Sequence, residues 1–258
     1  MSQHLDSTRG LDAAPEPCHI LGWDTDFWGK PIARVDAPRL TPEAISDIDA
    51  WCGANGVRCV FFLADVADSA STLAAERGGF FLTDVRVTFK GDLHGRRAQP
   101  RLGLRTARPE DHAALEELAR ISHGTTRFFH DPYFDDDRCG ELYARWMRDS
   151  LERGAAEVLV AEADGKPIGY ATCELDEDGE LGRIGLIAVE PSAQRRGIGR
   201  ALCEGAFDCF TRLGAQRVEI VTQGRNLSAQ RVFQRAGAHV DAIELWFHKW
   251  YQPLHVTS

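Results

Sequence analysis

Two glycines flanked by arginines form the motif with the most specific chemistry in this sequence. The motif follows a short apolar run at 186–189, typical of a β-strand, precedes an amphipathic helical pattern, and reads Gln194-Arg195-Arg196-Gly197-Ile198-Gly199-Arg200. Successive backbone N–H groups of such a loop can converge on one anion at a helix N-terminus, where the helix dipole favours negative charge. Because glycine has no side chain, a phosphate can approach the main chain closely. The motif therefore predicts a phosphate-binding loop.

Two other phosphate-binding motifs fit this loop poorly. A Walker A loop requires Lys-Ser or Lys-Thr after its last glycine, and this sequence continues with arginine and alanine. A dinucleotide fingerprint is matched in part by Gly197 and Gly199 with Glu219 further on, but its third small residue would be Leu202. The complete pattern of strand, Gln-Arg-Arg-Gly-Ile-Gly-Arg and helix closely resembles the acyl-CoA pyrophosphate loop of the GNAT superfamily of N-acyltransferases. The alternative is a solvated basic turn that contains two glycines by chance.

Charge and composition argue against several classes of protein. The formal net charge of −9 argues against nucleic acid or an anionic membrane as a partner, because either would require a net basic surface. No apolar run is long enough to span a membrane. The seven cysteines form no CxxC pair or zinc pattern, and their odd number does not suggest a set of disulfides. We therefore expect a reducing, cytoplasmic location and no metal.

Alternating helix and strand patterns predict an α/β (α+β) chain in four parts. Residues 1–17 are polar, lack the profile of a signal peptide and are predicted to be a disordered tail. Residues 18–91 are predicted to form a small α/β module. Residues 92–101 are polar and carry glycine and proline, which is typical of a linker, and residues 102–258 form the predicted main domain.

Within the N-terminal module, short strands are predicted at 18–21 and 31–35, around an aromatic segment at 22–30. The end of the module, residues 75–90, has the same order of helix, glycine and long strand as residues 234–249 near the end of the chain. The module therefore resembles a partial copy of the C-terminal fold.

The order of the elements predicted in the main domain is that of the GNAT fold. A strand and a helix with Pro109 in its first turn are followed by a second helix and a three-stranded meander whose first turn is Asp164-Gly165. The phosphate loop, a helix that ends at Gly214, a strand, a short helix from Asn226 and a final strand complete the series. The resemblance implies a central mixed, mainly antiparallel sheet flanked by helices.

The resemblance also implies acetyl-CoA as co-substrate and indicates the residues that bind it. The pyrophosphate would lie on the loop at 194–200. In this fold the strand before the loop diverges from its neighbour, which leaves the main-chain groups of Ile187, Ala188 and Val189 to pair with pantetheine and polarise the thioester carbonyl. Asn226 matches the family position that hydrogen-bonds the cofactor arm, and it is also a good N-cap residue, so both roles are compatible.

The proton donor for the leaving thiolate departs from the family pattern. The family places a tyrosine seven residues after the asparagine, and the matching residue here is Phe233, which cannot donate a proton. Three explanations stay open: the thiolate leaves unaided, another group such as Tyr251, Tyr170 or His248 donates, or the domain binds acyl-CoA without catalysis. We favour catalysis without a dedicated acid, because proton transfer contributes only about 10²–10⁴-fold.

Glu174 and His130 are the candidates for the general base. Glu174 ends a predicted strand, and His130 lies in an aromatic and acidic segment at 128–137. In a GNAT fold this segment lines the acceptor pocket, so we expect one of four residues to contact the acceptor: Phe128, His130, Asp131, Tyr133. The alternative is an acidic helix start over an aromatic core.

The resemblance narrows to one group of GNAT enzymes. The run Arg183-Ile184-Gly185-Leu186-Ile187, the aromatic segment, the N-terminal module and Asn226 are together similar to the TDP-fucosamine acetyltransferases, which acetylate the 4-amino group of a nucleotide-linked deoxysugar. The implied function is an acetyl-CoA-dependent N-acetyltransferase for a small primary amine, with a nucleotide-linked amino sugar as the leading acceptor. The alternatives are another amine (an antibiotic, an amino acid, a protein N-terminus or a lysine) and a non-catalytic acyl-CoA-binding module. We expect no nucleic-acid or membrane partner, and a homodimer stays open.

Overall fold

The structure is a computed structural model that describes residues 16–99 and 103–251. The chain forms two compact units, each described here by itself. One unit is Arg86–Ala242, and the other combines the N-terminal part up to Val85 with the end of the chain from Ile243. The predicted tail at 1–17 lies almost entirely outside the described residues.

The N-terminal unit contains a small mixed sheet. Its elements are β1 (Cys18–Ile20), α1 (Gly22–Trp28), β2 (Ile32–Val35), α2 (Pro42–Ala54), β3 (Cys59–Asp65), α3 (Ser69–Arg77) and, shared with the other unit, the ends of β4 (Phe81–Asp92) and β10 (His239–Trp250). Strand β2 pairs antiparallel with β1 and parallel with β3, and β3 pairs antiparallel with β10. Buried apolar side chains from α2, α3 and the strands form its core.

The aromatic segment between β1 and β2 is the short helix α1, which the sequence analysis did not predict. The helix ends at Gly29, which has a left-handed φ of 65° and donates its N–H to Thr25 O at 2.9 Å. The Thr25 hydroxyl accepts a 3.0 Å bond from Ile32 N, which fixes the helix to the next strand. Seven residues are too few to show a helical period, and tryptophan and phenylalanine also favour strands.

The C-terminal unit confirms the predicted mixed, mainly antiparallel sheet flanked by helices. Its elements are the rest of β4, β5 (Leu104–Thr106), α4 (His112–Ser122), α5 (Arg127–His130), α6 (Asp136–Asp149), β6 (Glu157–Ala163), β7 (Lys166–Leu175), β8 (Leu181–Val189), α7 (Ile198–Leu213), β9 (Arg217–Gln223), α8 (Leu227–Arg235) and the start of β10. Within this unit the strands lie in the order β4, β9, β8, β7, β6, β5. Strands β8 and β9 are parallel, whereas the pairs from β5 to β8 and the pair β4–β9 are antiparallel.

The predicted hairpin between β6 and β7 is present. Asp164 and Gly165 both have positive φ, 50° and 75°, as a two-residue turn between twisted strands requires. Three antiparallel strands, β6, β7 and β8, therefore follow one another as the sequence predicted, and the phosphate loop follows the third.

Helix α7 covers one face of the sheet. A Cβ atom on Gly182 would lie 2.4 Å from Phe210 Cγ, and one on Gly169 would lie 3.0 Å from Leu202 Cδ1, so both glycines face α7. Side chains alternate along a strand, so the neighbouring residues Arg183 and Tyr170 face the opposite side. This second side is the one on which the polar residues of the candidate site lie.

The bounds of the compact units differ from those of the parts predicted from the sequence, and the predicted division stays untested. Residues Glu244–Trp250 of β10 pair with β3, so the end of the predicted main domain folds with the N-terminal unit. In the predicted linker, Leu93 N donates to Gln216 O at 2.9 Å and Arg96 pairs with Asp208, so its described part packs on the C-terminal unit. The division into a module at 18–91 and a domain at 102–258, and the partial copy, stay predictions. Within the described ranges, no helix is long and apolar enough to cross a membrane.

Candidate active site

Strands β8 and β9 diverge beside the predicted cofactor residues. Their parallel register runs from Leu181 and Arg217 to Ile184 and Ile220 and ends there. Strand β8 continues to Val189 and stays paired with β7 on its other side, while β9 continues to Gln223, paired with β4. The divergence forms an open notch, and its β8 edge carries the main-chain groups of three predicted site residues: Ile187, Ala188, Val189.

A β-bulge in β8 accounts for this divergence. Ala171 of β7 lies opposite Ile187, but the next paired residue, Cys173, lies opposite Ile184, so Gly185 and Leu186 together oppose one residue of β7. That residue is Thr172, whose buried hydroxyl accepts a 2.8 Å bond from Leu186 N. Such a bulge bends a strand and increases its twist, which takes β8 away from β9.

Glu174 lies against the bulge. A Cβ atom on Gly185 would lie 2.3 Å from Glu174 Oε1 and 2.9 Å from Thr172 Oγ1. The carboxylate therefore occupies the space that a side chain at position 185 would need. The structure brings this candidate base to the point where the two strands separate.

The arginine and glycine loop has the backbone of an anion site. Arg195 and Gly197 have left-handed φ values of 62° and 84°, and α7 begins at the next residue, Ile198. Gly197 is the N-cap and provides no side-chain cap, so the first N–H groups of α7 have no side-chain acceptor at that position. Gln194 Nε2 donates to Val189 O at 3.1 Å, which fixes the loop to the end of β8. Left-handed residues in such a loop direct successive N–H groups to one side.

Asn226 is the N-cap of α8. Its Oδ1 accepts a 3.1 Å bond from Ala229 N, which leaves the Nδ2 group as the donor available for a ligand. Gln230 Nε2 donates to Gln223 O at 3.0 Å and to Gly224 O at 2.9 Å. The start of α8 is thereby held against the end of β9, beside the notch.

Phe233 is part of the core. Its side chain is 1% exposed and meets Phe89 edge to face, with ring centroids 5.6 Å apart. The position at which the family carries a tyrosine therefore presents an apolar ring packed between α8 and β4.

A hydrogen-bonded pair that the sequence did not predict, with a buried tyrosine and a half-buried histidine, lies on the side of the sheet opposite α7. The Tyr170 hydroxyl lies 2.8 Å from Nε2 of His123, the residue that follows α4. Burial lowers the pKa of His123 to about 4 and raises the pKa of Tyr170 above its usual value, so both are neutral at pH 7. Tyr143 stacks on the imidazole at 4.5 Å, and Tyr170 lies opposite Ala188 of β8. No local pattern marks His123, because its partners come from distant elements.

The aromatic and acidic segment divides between core and surface. Phe128 is 2% exposed and packs edge to face on Phe134, and Asp131 is 1% exposed and accepts a 3.0 Å bond from Tyr133 N. His130 is exposed, and its pKa is lowered first by desolvation and then by the positive charge of Arg225. The aromatic core is therefore present in this segment, and contact of any of its residues with an acceptor stays a prediction.

Tyr251 and His248 fold with the N-terminal unit. The Tyr251 hydroxyl donates to Asp49 Oδ1 at 2.7 Å, and burial together with that carboxylate raises the Tyr251 pKa. His248 is fully buried, with its ring 4.2 Å from Phe61. A catalytic role for Tyr251 stays a prediction. Across residues 16–99 and 103–251, no group of three or more His, Cys, Asp or Glu side chains could hold a metal ion.

Comparisons with known proteins agree with this geometry. Residues 115–238 match the model of the acetyltransferase (GNAT) family. The chain is 25% identical to dTDP-fucosamine acetyltransferase of Escherichia coli over 89% of this chain and 96% of that protein. It is 31% identical to the spore coat polysaccharide biosynthesis protein SpsD of Bacillus subtilis over 55% of this chain, and this match spans about half of that protein, 48%. A GCN5-related N-acetyltransferase from Sphaerobacter thermophilus has a similar fold, with a TM-score of 0.62, 18% identity, and coverage of 92% of this chain and 76% of that one.

Proposed function

The C-terminal part of this chain is an acetyltransferase domain of the GNAT family, and we propose that it transfers the acetyl group of acetyl-CoA to a primary amine of a nucleotide-linked amino sugar. The observation that carries the proposal is the open notch between β8 and β9, next to a loop whose backbone suits a pyrophosphate. A notch of this kind exposes strand edges that an extended pantetheine arm can pair with.

The proposed cofactor contacts follow from this arrangement. The N–H groups at the start of α7 and the arginines of the loop would bind the pyrophosphate, where the helix dipole and three guanidinium groups favour negative charge. Main-chain groups of residues 187–189 would hold pantetheine and polarise the thioester carbonyl. Asn226 would donate its amide N–H to the cofactor arm while its oxygen caps α8.

Glu174 is the base that the geometry favours for the amine. Its carboxylate lies against the bulge, at the base of the notch, where the thioester carbonyl would be held. His130 is the second candidate, because it is neutral at pH 7 and able to accept a proton. A sugar amine is less basic than lysine, so a moderate base is sufficient. A thiol with a pKa near ~8.5 can leave as the thiolate without a dedicated acid, which agrees with the buried ring of Phe233.

The amino sugar is supported by two relatives. One is named as an acetyltransferase of dTDP-fucosamine, and the other is named for polysaccharide biosynthesis. An amino sugar linked to a nucleotide fits the first name, and a sugar acceptor fits both.

The test is release of CoA thiol from acetyl-CoA in the presence of amines. We expect release with nucleotide-linked amino sugars and only background release with aminoglycosides, polyamines or no amine. Background release with every amine would contradict the enzymatic proposal. It would favour the second candidate, a non-catalytic acyl-CoA-binding module, to which the apolar residue at the proton-donor position points.

A further inference from the structure

The turn between α4 and α5 meets the end of β9 at the notch. Thr125 Oγ1 lies 3.5 Å from Oε1 of Gln223, the last residue of β9. Gln223 belongs to the part of β9 that lies beyond the last residue paired with β8, Ile220. Polar side chains of two elements that are distant in sequence therefore meet beside the unpaired end of β9.

Arg225 lies in the turn between β9 and α8, whose backbone is held by hydrogen bonds. The residue is exposed, the carbonyl groups at Gln223 and Gly224 accept bonds from Gln230, and the next residue, Asn226, caps α8. After desolvation, the positive charge of Arg225 contributes to the lowered pKa of His130. The negative charge of Asp136 raises the pKa of the same histidine and so partly offsets this shift.

Among the residues that the structure describes, two buried hydroxyl groups near this turn have no hydrogen-bond partner. They belong to Ser122, the last residue of α4, and to Thr126, which is 6% exposed. A buried hydroxyl without a partner is unfavourable, because it has lost its hydrogen bonds to water. Such groups are usually completed by an ordered water molecule or a ligand.

We infer that these residues form the subsite for the part of the acceptor beyond its amine. We call them the rim cluster: Ser122, Thr125, Thr126, His130, Gln223, Arg225. The hydroxyl and amide groups suit the hydroxyls of a sugar, and the guanidinium of Arg225, with the His130 ring beside it, suits the diphosphate of a nucleoside diphosphate. This inference rests on the proposed function and names the residues that select its acceptor.

The charge of the chain explains why one arginine would matter here. The net charge of −9 repels a diphosphate in general, so recognition needs a local cation. Guanidinium offers a planar fork of donors that binds two phosphate oxygens at once. Arg225 is separate from the arginines of the cofactor loop, so an acceptor diphosphate and the CoA pyrophosphate would each have a cation of their own.

The test is calorimetric binding of thymidine 5′-diphosphate and TDP-glucose to the full chain saturated with CoA. Saturation is required because the cofactor loop would itself bind a diphosphate. TDP-glucose has sugar hydroxyls but no amine, so it cannot be acetylated on nitrogen. The variants are Arg225→Gln, Arg225→Lys and Thr126→Val, with Arg231→Gln on the exposed side of α8 as the control that makes the same charge change.

We expect Arg225→Gln to weaken binding of both compounds about tenfold or more, Arg225→Lys to weaken it less, and Arg231→Gln to leave it unchanged. Thr126→Val should weaken the binding of TDP-glucose about threefold to tenfold and leave the binding of thymidine 5′-diphosphate unchanged. It should not lower the stability of the protein, because the hydroxyl has no hydrogen bond to lose among the described residues. The inference is overturned if the CoA-saturated wild type binds neither compound, or if Arg225→Gln binds them as tightly as the wild type. The binding experiment does not depend on turnover. If the nucleotides do not bind but another amine gives thiol release, this inference fails and the enzymatic proposal stands.

Discussion

Gly185 and Glu174 share one small volume: a Cβ atom on residue 185 would lie 2.3 Å from a carboxylate oxygen of residue 174. The pair lies where β8 bulges and leaves β9. Because Gly185 has no side chain, the carboxylate of the candidate base Glu174 can lie directly against β8.

Gly185→Ala should reduce turnover by displacing Glu174. We expect kcat to fall about tenfold or more, whereas the KM for acetyl-CoA changes little, because the loop at 194–200 is not touched. Glu174→Gln should lower kcat in the same direction, by up to about 10²–10⁴-fold. The measurement is steady-state thiol release. Gly53→Ala is the control, since a Cβ there meets nothing within 4 Å. An unchanged kcat in Glu174→Gln would exclude this carboxylate as the base.

Substitutions of Asn226 should separate its role as a helix cap from its role toward the cofactor. Asn226→Asp keeps an oxygen for Ala229 N but removes the amide donor, so we expect unchanged stability and a higher KM for acetyl-CoA. Asn226→Ala should raise KM and also lower the free energy of unfolding by about 1 kcal/mol. Urea unfolding and saturation kinetics measure the two effects. An aspartate variant with the KM of the wild type would leave Asn226 as a cap alone.

Phe233→Tyr should leave turnover unchanged. We expect the thiolate to leave without a dedicated acid, and the added hydroxyl to cost about 1–3 kcal/mol of stability because residue 233 is 1% exposed and packs on Phe89. Phe89→Tyr adds a hydroxyl to the same cluster away from the donor position and serves as the control. A large gain in turnover in Phe233→Tyr alone would show that the natural protein lacks an acid that it needs.

The hydrogen-bonded pair of His123 and Tyr170 should make stability depend on pH. An unfolded histidine titrates near ~6.5, and burial lowers the pKa of His123 to about 4 in the folded chain. Between these values the unfolded chain binds more protons, so the free energy of unfolding falls as the pH drops from about 6.5 to about 4, by at most about 3 kcal/mol.

His123→Gln removes this titration and keeps a group that can hydrogen-bond the Tyr170 hydroxyl. Urea unfolding between pH 4 and pH 7 should therefore show a smaller slope in this variant than in the wild type. His239→Gln, a change at an exposed histidine, should keep the slope of the wild type. Equal slopes in His123→Gln and the wild type would contradict the assignment.

The sequence predicted the features that depend on neighbouring residues. The glycines of the cofactor loop, the hairpin at Asp164 and the helix cap at Asn226 all take the predicted conformations, because their backbone requirements are local. The bulge was beyond such reasoning, since it depends on how Gly185 and Leu186 pair with Thr172 of another strand.

Contacts between distant segments could not be predicted from local sequence patterns either. His123 and Tyr170 are 47 residues apart, and nothing near either residue indicates the other. The pairing of β10 with β3 likewise joins residues 244–250 to residues 59–65, which are far apart in the sequence. The composition of the segment between them therefore could not predict this pairing. Helix α1 was missed for a different reason, because its aromatic residues are as typical of strands as of helices.

Where β8 diverges from β9, a strand edge within the sheet is left unpaired. The unpaired N–H and C=O groups of a strand edge can pair with another chain and start aggregation. A bound cofactor that pairs with this edge would take the place of the absent strand. Its binding energy then becomes folding energy, worth about 2.7 kcal/mol at a cofactor concentration of 100 times Kd. The melting temperature of this chain and its resistance to aggregation should therefore increase with the concentration of acetyl-CoA. Its lifetime in a cell would then depend on how much acetyl-CoA is present.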